Sequence, residues 1–167
     1  TLRQVPSGSP AHAAVEYGAM VIGRFGTVDE IRSALDLLQP FTEIGSVRRA
    51  FSGAAVGIGA RGGPSDVRDF LGRGESRFDE APMQRAMEVV AAEALGGREE
   101  PELLAVYLEA LPWLLGHLKS PAAHHLMWWI GRAVDLFGTP EQAADFLLKV
   151  GPHLNAAVPV RVDRHYS

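Results

Sequence analysis

Helix start and stop signals recur along the whole chain, and this feature leaves little room for a fold that is not helical. Thr27 is followed three residues later by Glu30, and Thr139 is followed three residues later by Gln142. Both pairs have the spacing of a capping box, in which each residue satisfies a free backbone amide of the other. After Thr27, apolar residues recur at the three- and four-residue spacing of a helix until Pro40 ends the segment. We therefore predict an all-α fold.

Signals of this kind divide the chain into about eight helices, which we place in one bundle-like domain covering residues 1–167. The sixth helix, Pro101 to Leu118, and the seventh, Pro121 to about Phe137, are rich in apolar residues and are expected to form a central hairpin. The tail from Ala156 to Val162 alternates enough for a short strand but has no obvious partner strand. We therefore predict an extended C-terminal arm.

Glycines indicate where the chain opens between helices. The third predicted helix should end near Ala55, and we expect flexible internal connections at 57–63 and 72–78. The first connection matches the G-x-G-x-x-G string of dinucleotide-binding proteins, but that motif needs a strand before it and a long helix after it. Here a helical pattern precedes the glycines and Pro64 follows them. We therefore predict an inter-helix loop and no cofactor.

Two segments of the chain resemble each other. Phe25 to Pro40 and Phe137 to Pro152 both contain a helix end, a Gly-Thr turn, a capped helix and a proline stop. A duplicated helical hairpin is one explanation. Capping chemistry alone selects the same residues, and we favour this second explanation because a repeat array would show three or more units.

Composition excludes several classes of protein. The chain is mildly acidic, with a net charge of −4, and nucleic-acid binding depends on neutralising phosphates, so we expect no nucleic-acid partner. The longest apolar stretch, Ala110 to Ile130, is interrupted by prolines, histidines and Lys119, so we expect no membrane span. Cysteine is absent, which removes disulfides and thiolate chemistry. We expect a cytoplasmic protein.

Histidines are the candidate residues for a pocket or a metal site. His117, His124 and His125 lie around the turn between the sixth and seventh helices, and Glu109 precedes them. These four residues are candidate catalytic groups, because convergent polar side chains in a helical bundle can form a ligand pocket. The Glu-x-x-His spacing of bundle metal sites is missing, so we predict no metal.

The seventh helix carries an unusual polar stripe. His125, Trp128, Arg132 and Asp135 fall on one side of this helix, whereas Trp129 falls on the opposite, core-like side. Tryptophan and arginine are enriched at interface hot spots, and the two side chains can stack. The alternative is that another helix covers Trp128, since tryptophan is usually mostly buried.

Two functions therefore stay open. The first is a non-enzymatic helical module that binds a protein partner or self-associates into a homo-oligomer through the stripe on the seventh helix. The alternative is a helical-bundle enzyme or ligand-binding protein that uses the histidines and Glu109.

Overall fold

The computed structural model describes residues 2–6 and 8–154, and within them the chain forms eight α-helices and no strand. The predicted all-α fold is thereby confirmed. The predicted arm, Ala156 to Val162, lies outside the described residues. Short 3-10 segments cover Leu2–Gln4 and Gln39–Phe41, and a π-helical turn covers Ala92–Gly96. The helices are α1 (Pro10–Phe25), α2 (Val28–Leu38), α3 (Gly45–Arg61), α4 (Pro64–Glu75), α5 (Ala81–Ala91), α6 (Pro101–Leu115), α7 (Pro121–Phe137) and α8 (Pro140–Leu154).

Both predicted capping boxes are present. The Glu30 amide donates to Thr27 Oγ1 at 3.2 Å, and the Thr27 amide donates to Glu30 Oε2 at 2.7 Å. At α8, the Gln142 amide donates to Thr139 Oγ1 at 3.2 Å, and the Thr139 amide donates to Gln142 Oε1 at 3.1 Å. These bonds satisfy amides that the first helical turn leaves free, so the start of each helix is fixed by local sequence.

The prediction that the third helix ends near Ala55 is wrong, because α3 continues through the glycines to Arg61. A Cβ atom at Gly57 would come within 2.5 Å of the carbonyl oxygen of Gly23 on α1. Glycine therefore serves here to let two helix backbones approach each other, and the packing outweighs its low helix propensity. The connection predicted at 57–63 is reduced to two residues.

The connection predicted at 72–78 is also shorter than expected. Helix α4 extends to Glu75, so only the residues after it link α4 to α5. Gly74 is buried, and a Cβ atom there would overlap the side chain of Met87. As in α3, the glycine belongs to a helix–helix contact, which the sequence alone does not distinguish from a loop.

Helices α1, α3, α5 and α7 form one layer and run in the same direction. At the start of α1 and α3, His12 Nδ1 lies 2.6 Å from Ser46 Oγ, and towards their ends the Arg61 guanidinium donates to the Gly26 carbonyl at 2.7 Å. Between α5 and α7, Glu88 contacts His125 and, further along both segments, Gly96 contacts Trp129, which gives the same direction. Each odd-numbered helix therefore stacks on the previous one.

Helices α2, α4, α6 and α8 form the second layer. Arg32 on α2 pairs with Asp66 on α4, and Arg68 on α4 pairs with Glu109 on α6. On α8, Lys149 Nζ donates to a carbonyl oxygen of α6 at 3.1 Å. The described helices therefore form four consecutive pairs, α1/α2, α3/α4, α5/α6 and α7/α8, in which α6 meets the π-helical turn that follows α5. The alternation of the helices between two layers is similar to that of an α-solenoid.

The similar segments from Phe25 to Pro40 and from Phe137 to Pro152 contain the α1–α2 and α7–α8 turns, so they occupy equivalent places in the fold. The preference for capping chemistry over duplication stays a prediction. Helix α6 is mostly buried, as predicted, and it packs against α7 across the short connection of residues 116–120, as expected for the predicted hairpin of α6 and α7.

The hydrophobic core runs along the stack between the two layers. Its largest fully buried side chains come from α2 to α7 and from the connection before α5: Ile31, Ile58, Phe78, Met87, Leu95, Leu103, Leu104, Tyr107, Leu111, Leu114, Leu126 and Ile130. Burial raises the pKa of the Tyr107 hydroxyl, which has no hydrogen-bond partner in the described part of the chain. Across 2–6 and 8–154, no helix is both long and apolar enough to cross a membrane.

Candidate functional site

The predicted stripe on α7 is a surface of the protein. All four of its side chains, His125, Trp128, Arg132 and Asp135, are exposed, and we call them the α7 surface. The indole of Trp128 is 59% exposed, so no other described helix covers it. The helical period therefore placed these residues correctly, and their role in binding stays a prediction.

Trp128 is held by its neighbours although it is exposed. The Arg132 guanidinium carbon lies 6.0 Å from the centroid of the Trp128 ring, within the range of a cation–π contact. On its other side the ring meets Trp129 edge-on, with centroids 4.7 Å apart. Trp129 in turn packs on Gly96, where a Cβ atom would overlap the indole. Trp128 therefore has two side-chain contacts within the chain, and contacts of this kind restrict the rotamers that binding would otherwise have to fix.

Trp129 itself differs from its predicted place. The sequence assigned it to the core side of α7, but its side chain is only half-buried. The Arg132 guanidinium also lies 5.7 Å from its ring centroid. Because Trp129 packs against the core and also contacts Arg132, it connects the core to the α7 surface instead of lying wholly within the core.

The ends of the α7 surface differ in charge and polarity. His125 Nδ1 lies 3.2 Å from Glu88 Oε1 on α5, which ties this end of α7 to the preceding hairpin. At the other end, Asp135 is exposed and makes no ion pair with any described residue. Leu136, next to it, is 55% exposed. The surface therefore combines an aromatic centre with an unpaired carboxylate and an apolar edge.

The candidate catalytic residues do not share one environment. His117 is half-buried and packs on Phe78, with ring centroids 5.0 Å apart, whereas His124 is exposed on α7. Glu109 lies on α6, where the Arg68 guanidinium binds both of its carboxylate oxygens, at 2.9 and 3.1 Å. This bidentate bond holds the pKa of Glu109 below its ordinary range.

His125 has a different neighbour again, because it contacts Glu88 on α5. An open hollow of about 590 Å³ after α6 includes His117 but not the other three candidates. Among residues 2–6 and 8–154, no group of three histidine or carboxylate side chains could hold a metal ion. The structure therefore does not bring His117, His124, His125 and Glu109 into one pocket.

The structure shows one buried polar pair that the sequence analysis did not identify. His12 and Ser46 are both buried, and they join the N-terminal ends of α1 and α3. His12 Nε2 lies 3.3 Å from the Val5 carbonyl oxygen, which can only accept, so that nitrogen carries a proton and donates to it. With this proton on Nε2, Nδ1 is the ring atom that can accept a hydrogen bond from the Ser46 hydroxyl. No sequence motif links these residues, because they lie on separate helices.

A groove between α3 and α5 was also missed. It has room of about 450 Å³, an apolar floor that includes Val56 and Val89, and a rim with Arg48, Arg49 and Arg85. Two of these arginines are already paired, Arg49 with a carboxylate of α1 and Arg85 with one of α5. Most of the local positive charge is therefore neutralised within the chain.

Exposed apolar side chains on the first helix are the third feature that was missed. Tyr17, Val21 and Phe25 are all more than half exposed on α1. On α8, Leu147 is 63% exposed although the residues on either side of it in sequence are apolar. Phe146, one residue earlier, contacts Gly131 on α7 instead. The sequence feature that could have indicated exposed apolar residues is that α8 carries apolar residues on more than one face.

Comparisons with protein-family models, with curated proteins and with solved structures find no match to this chain. Similarity therefore does not show its family, and the candidate sites rest on the geometry described above.

Proposed function

We propose that this chain is a helical protein-interaction module, which binds a second copy of itself or another protein through the α7 surface. The observation that carries this proposal is the exposed indole of Trp128, which contacts Arg132 and Trp129. Tryptophan and arginine contribute most to binding when they are held in place and then lose water on contact with a partner.

The arrangement of the chain supports the same function. A stack of hairpins gives an extended surface along which side chains from successive helices can contact one partner. By contrast, the proposed use of His117, His124, His125 and Glu109 as an enzyme or ligand site is not favoured, because these residues have different neighbours. We place the module in the cytoplasm, and cell fractionation would test this location.

Substitution of Trp128 tests the proposal. Because the indole is largely exposed, Trp128→Ala should lower the free energy of unfolding by less than about 1.5 kcal/mol. The same change should weaken association by roughly 2 kcal/mol or more. Light scattering would measure self-association, and a pull-down from the native lysate with mass spectrometry would measure partner capture.

Two further variants serve as controls. Trp128→Phe keeps an aromatic ring beside Arg132 and should retain more binding than Trp128→Ala. Trp129→Ala removes a half-buried ring that packs on Gly96 and should destabilise folding by about 2–4 kcal/mol. If Trp128→Ala were as destabilising as Trp129→Ala and left association and partner capture unchanged, Trp128 would be a packing residue and the proposal would fail.

A further inference from the structure

Exposed large apolar side chains are confined to the two ends of the stack. Within the part of the chain that the structure describes, the inner hairpins α3/α4 and α5/α6 expose none of them. Hairpins at the ends of natural helical arrays usually have a polar outer face, because nothing packs on that face. Here, by contrast, both end hairpins expose large apolar side chains: Tyr17, Met20, Val21, Phe25 and Leu37 at one end and Trp128, Leu136, Leu147 and Leu148 at the other.

At the first end, the exposed side of α1 is opposite its contact with α3. Gly23 is buried against α3, where a Cβ atom would overlap the Gly53 carbonyl oxygen. Val21 and Phe25 are each two residues from Gly23, which places them about 160° away around the helix. Phe25 is 74% exposed. We call Tyr17, Val21, Phe25 and Leu37 the leading face.

At the other end, the exposed side of α8 is opposite its contact with α6. Lys149 reaches the Leu108 carbonyl oxygen on α6, and Leu147 is two residues from Lys149, so it lies about 160° away around the helix. Leu148, between them, is 77% exposed. We call Leu147 and Leu148 the trailing face.

Each contact between successive hairpins joins the later side of one hairpin to the earlier side of the next. The trailing face is a later side and the leading face is an earlier side, and neither has a partner hairpin in the described chain. Within the chain, helices of one layer contact the next helix of that layer: α1 contacts α3, α3 contacts α5 and α5 contacts α7, and in the second layer α4 contacts α6 and α6 contacts α8. A second copy placed beyond α7/α8 would put its own α1/α2 there, and this would continue the same packing. The contact would bury the exposed apolar side chains of both faces, and the end hairpins would then resemble the inner hairpins.

Charge is also complementary between the two end hairpins. Arg24, on α1, is exposed and stacks on the ring of Phe25, at 5.4 Å from its centroid, with no acidic partner among the described residues. Asp135, on α7, is exposed and makes no ion pair within 2–6 and 8–154. A head-to-tail contact brings an unpaired cation and an unpaired carboxylate to the same interface, whereas a contact between two leading faces brings two arginines together.

We propose that copies of this chain associate head to tail, with the trailing face of one copy on the leading face of the next. The inference rests on the proposed function and names the partner as a second copy. Because the two faces are different surfaces of the molecule, this contact does not close on itself after two copies, and it extends the helical stack.

Two variants, each blocked at one end, test the proposal. Val21→Glu with Phe25→Glu places carboxylates on the leading face, and Leu147→Glu with Leu148→Glu places them on the trailing face. All four positions are exposed, so folding should be retained and is checked by circular dichroism. A matched control, Ser65→Glu with Gly72→Glu, adds the same charge at exposed positions of the inner helix α4.

Sedimentation velocity gives the readout over protein concentrations from about 1 μM to about 1 mM. We expect wild type and the control to form species that grow with concentration. Each blocked variant should remain monomeric, with apparent association weakened at least about 10-fold, because a buried unpaired carboxylate opposes contact. Mixing the two blocked variants should restore one contact and give a discrete 1:1 dimer.

Several outcomes would overturn the proposal. A wild-type protein that stays monomeric over the whole range excludes head-to-tail association, although the α7 surface could still bind another protein. Association that persists in either blocked variant, or a mixture that gives no dimer, excludes this geometry while leaving self-association through Trp128 intact. If Trp128→Ala lost association but the mixture gave no dimer, the proposed function would stand and only the head-to-tail contact would be excluded.

Discussion

Replacing Gly23 with alanine tests the close approach of α1 to α3, on which the first step of the stack depends. A Cβ atom at Gly23 would overlap the carbonyl oxygen of Gly53 and lie 2.9 Å from the Cα atom of Ala54. Both are backbone atoms of a neighbouring helix, so they cannot rotate away and the helices must separate. Overpacking of this kind costs about 2–3 kcal/mol. Alanine recovers roughly 0.5–1 kcal/mol of helix propensity, which leaves a net loss of about 1–2.5 kcal/mol.

Gly18→Ala is the matched control on the same helix. Gly18 is exposed, and a Cβ atom there meets nothing within 4 Å, so alanine should stabilise the protein by roughly 0.5–1 kcal/mol. Urea denaturation at a low protein concentration would give both free energies of unfolding, with the slope against denaturant expected to be unchanged. If Gly23→Ala proved as stable as Gly18→Ala, α1 would not approach α3 as described and the stacking argument would be refuted.

Three other predictions follow from single contacts. Thr27→Ala and Thr139→Ala each remove a capping oxygen and should each lower the free energy of unfolding by about 0.5–2 kcal/mol, and unchanged thermal melting of both variants would show that the caps do not stabilise these helices. Tyr107→Phe removes a buried hydroxyl that has no partner among the described residues, so unfolding stability should stay the same or rise by up to about 2 kcal/mol, and a clear loss would reveal a partner for that hydroxyl. The Thr27 amide lowers the pKa of Glu30, so its stabilising effect is present above the ordinary glutamate range and is lost as pH falls through the lowered value. The difference in melting temperature between wild type and Glu30→Ala should therefore shrink below about pH 4, and a difference that grows on acidification would contradict this assignment.

Local features of the fold were predictable from sequence, whereas the packing of hairpins was not. The caps at Thr27 and Thr139 depend on residues three positions away, so their spacing was sufficient to predict them. The course of α3 was predicted wrongly because Gly57 is helical only by virtue of its contact with α1, which is distant in sequence. The stack is likewise built from pairs such as Arg68 with Glu109, whose separation follows no visible sequence repeat.

The candidate site shows the same division. Helical periodicity correctly placed Trp128 on the exposed side of α7. It could not distinguish Val21 and Phe25 from core residues, because an apolar stripe has the same spacing whether or not a neighbouring helix covers it. Proximity in sequence also suggested a shared pocket for His117 and His125, but each contacts a different part of the stack.

The weight-average mass in solution, measured by light scattering as the protein concentration is raised, tests most directly whether the exposed surfaces of the end hairpins serve association. The wild-type mass should rise above the 18.0 kDa of one chain, and Trp128→Ala should reduce this rise at each concentration. A mass of 18.0 kDa for wild type at every concentration would contradict self-association. A rise that is identical in wild type and Trp128→Ala would contradict the role assigned to the α7 surface.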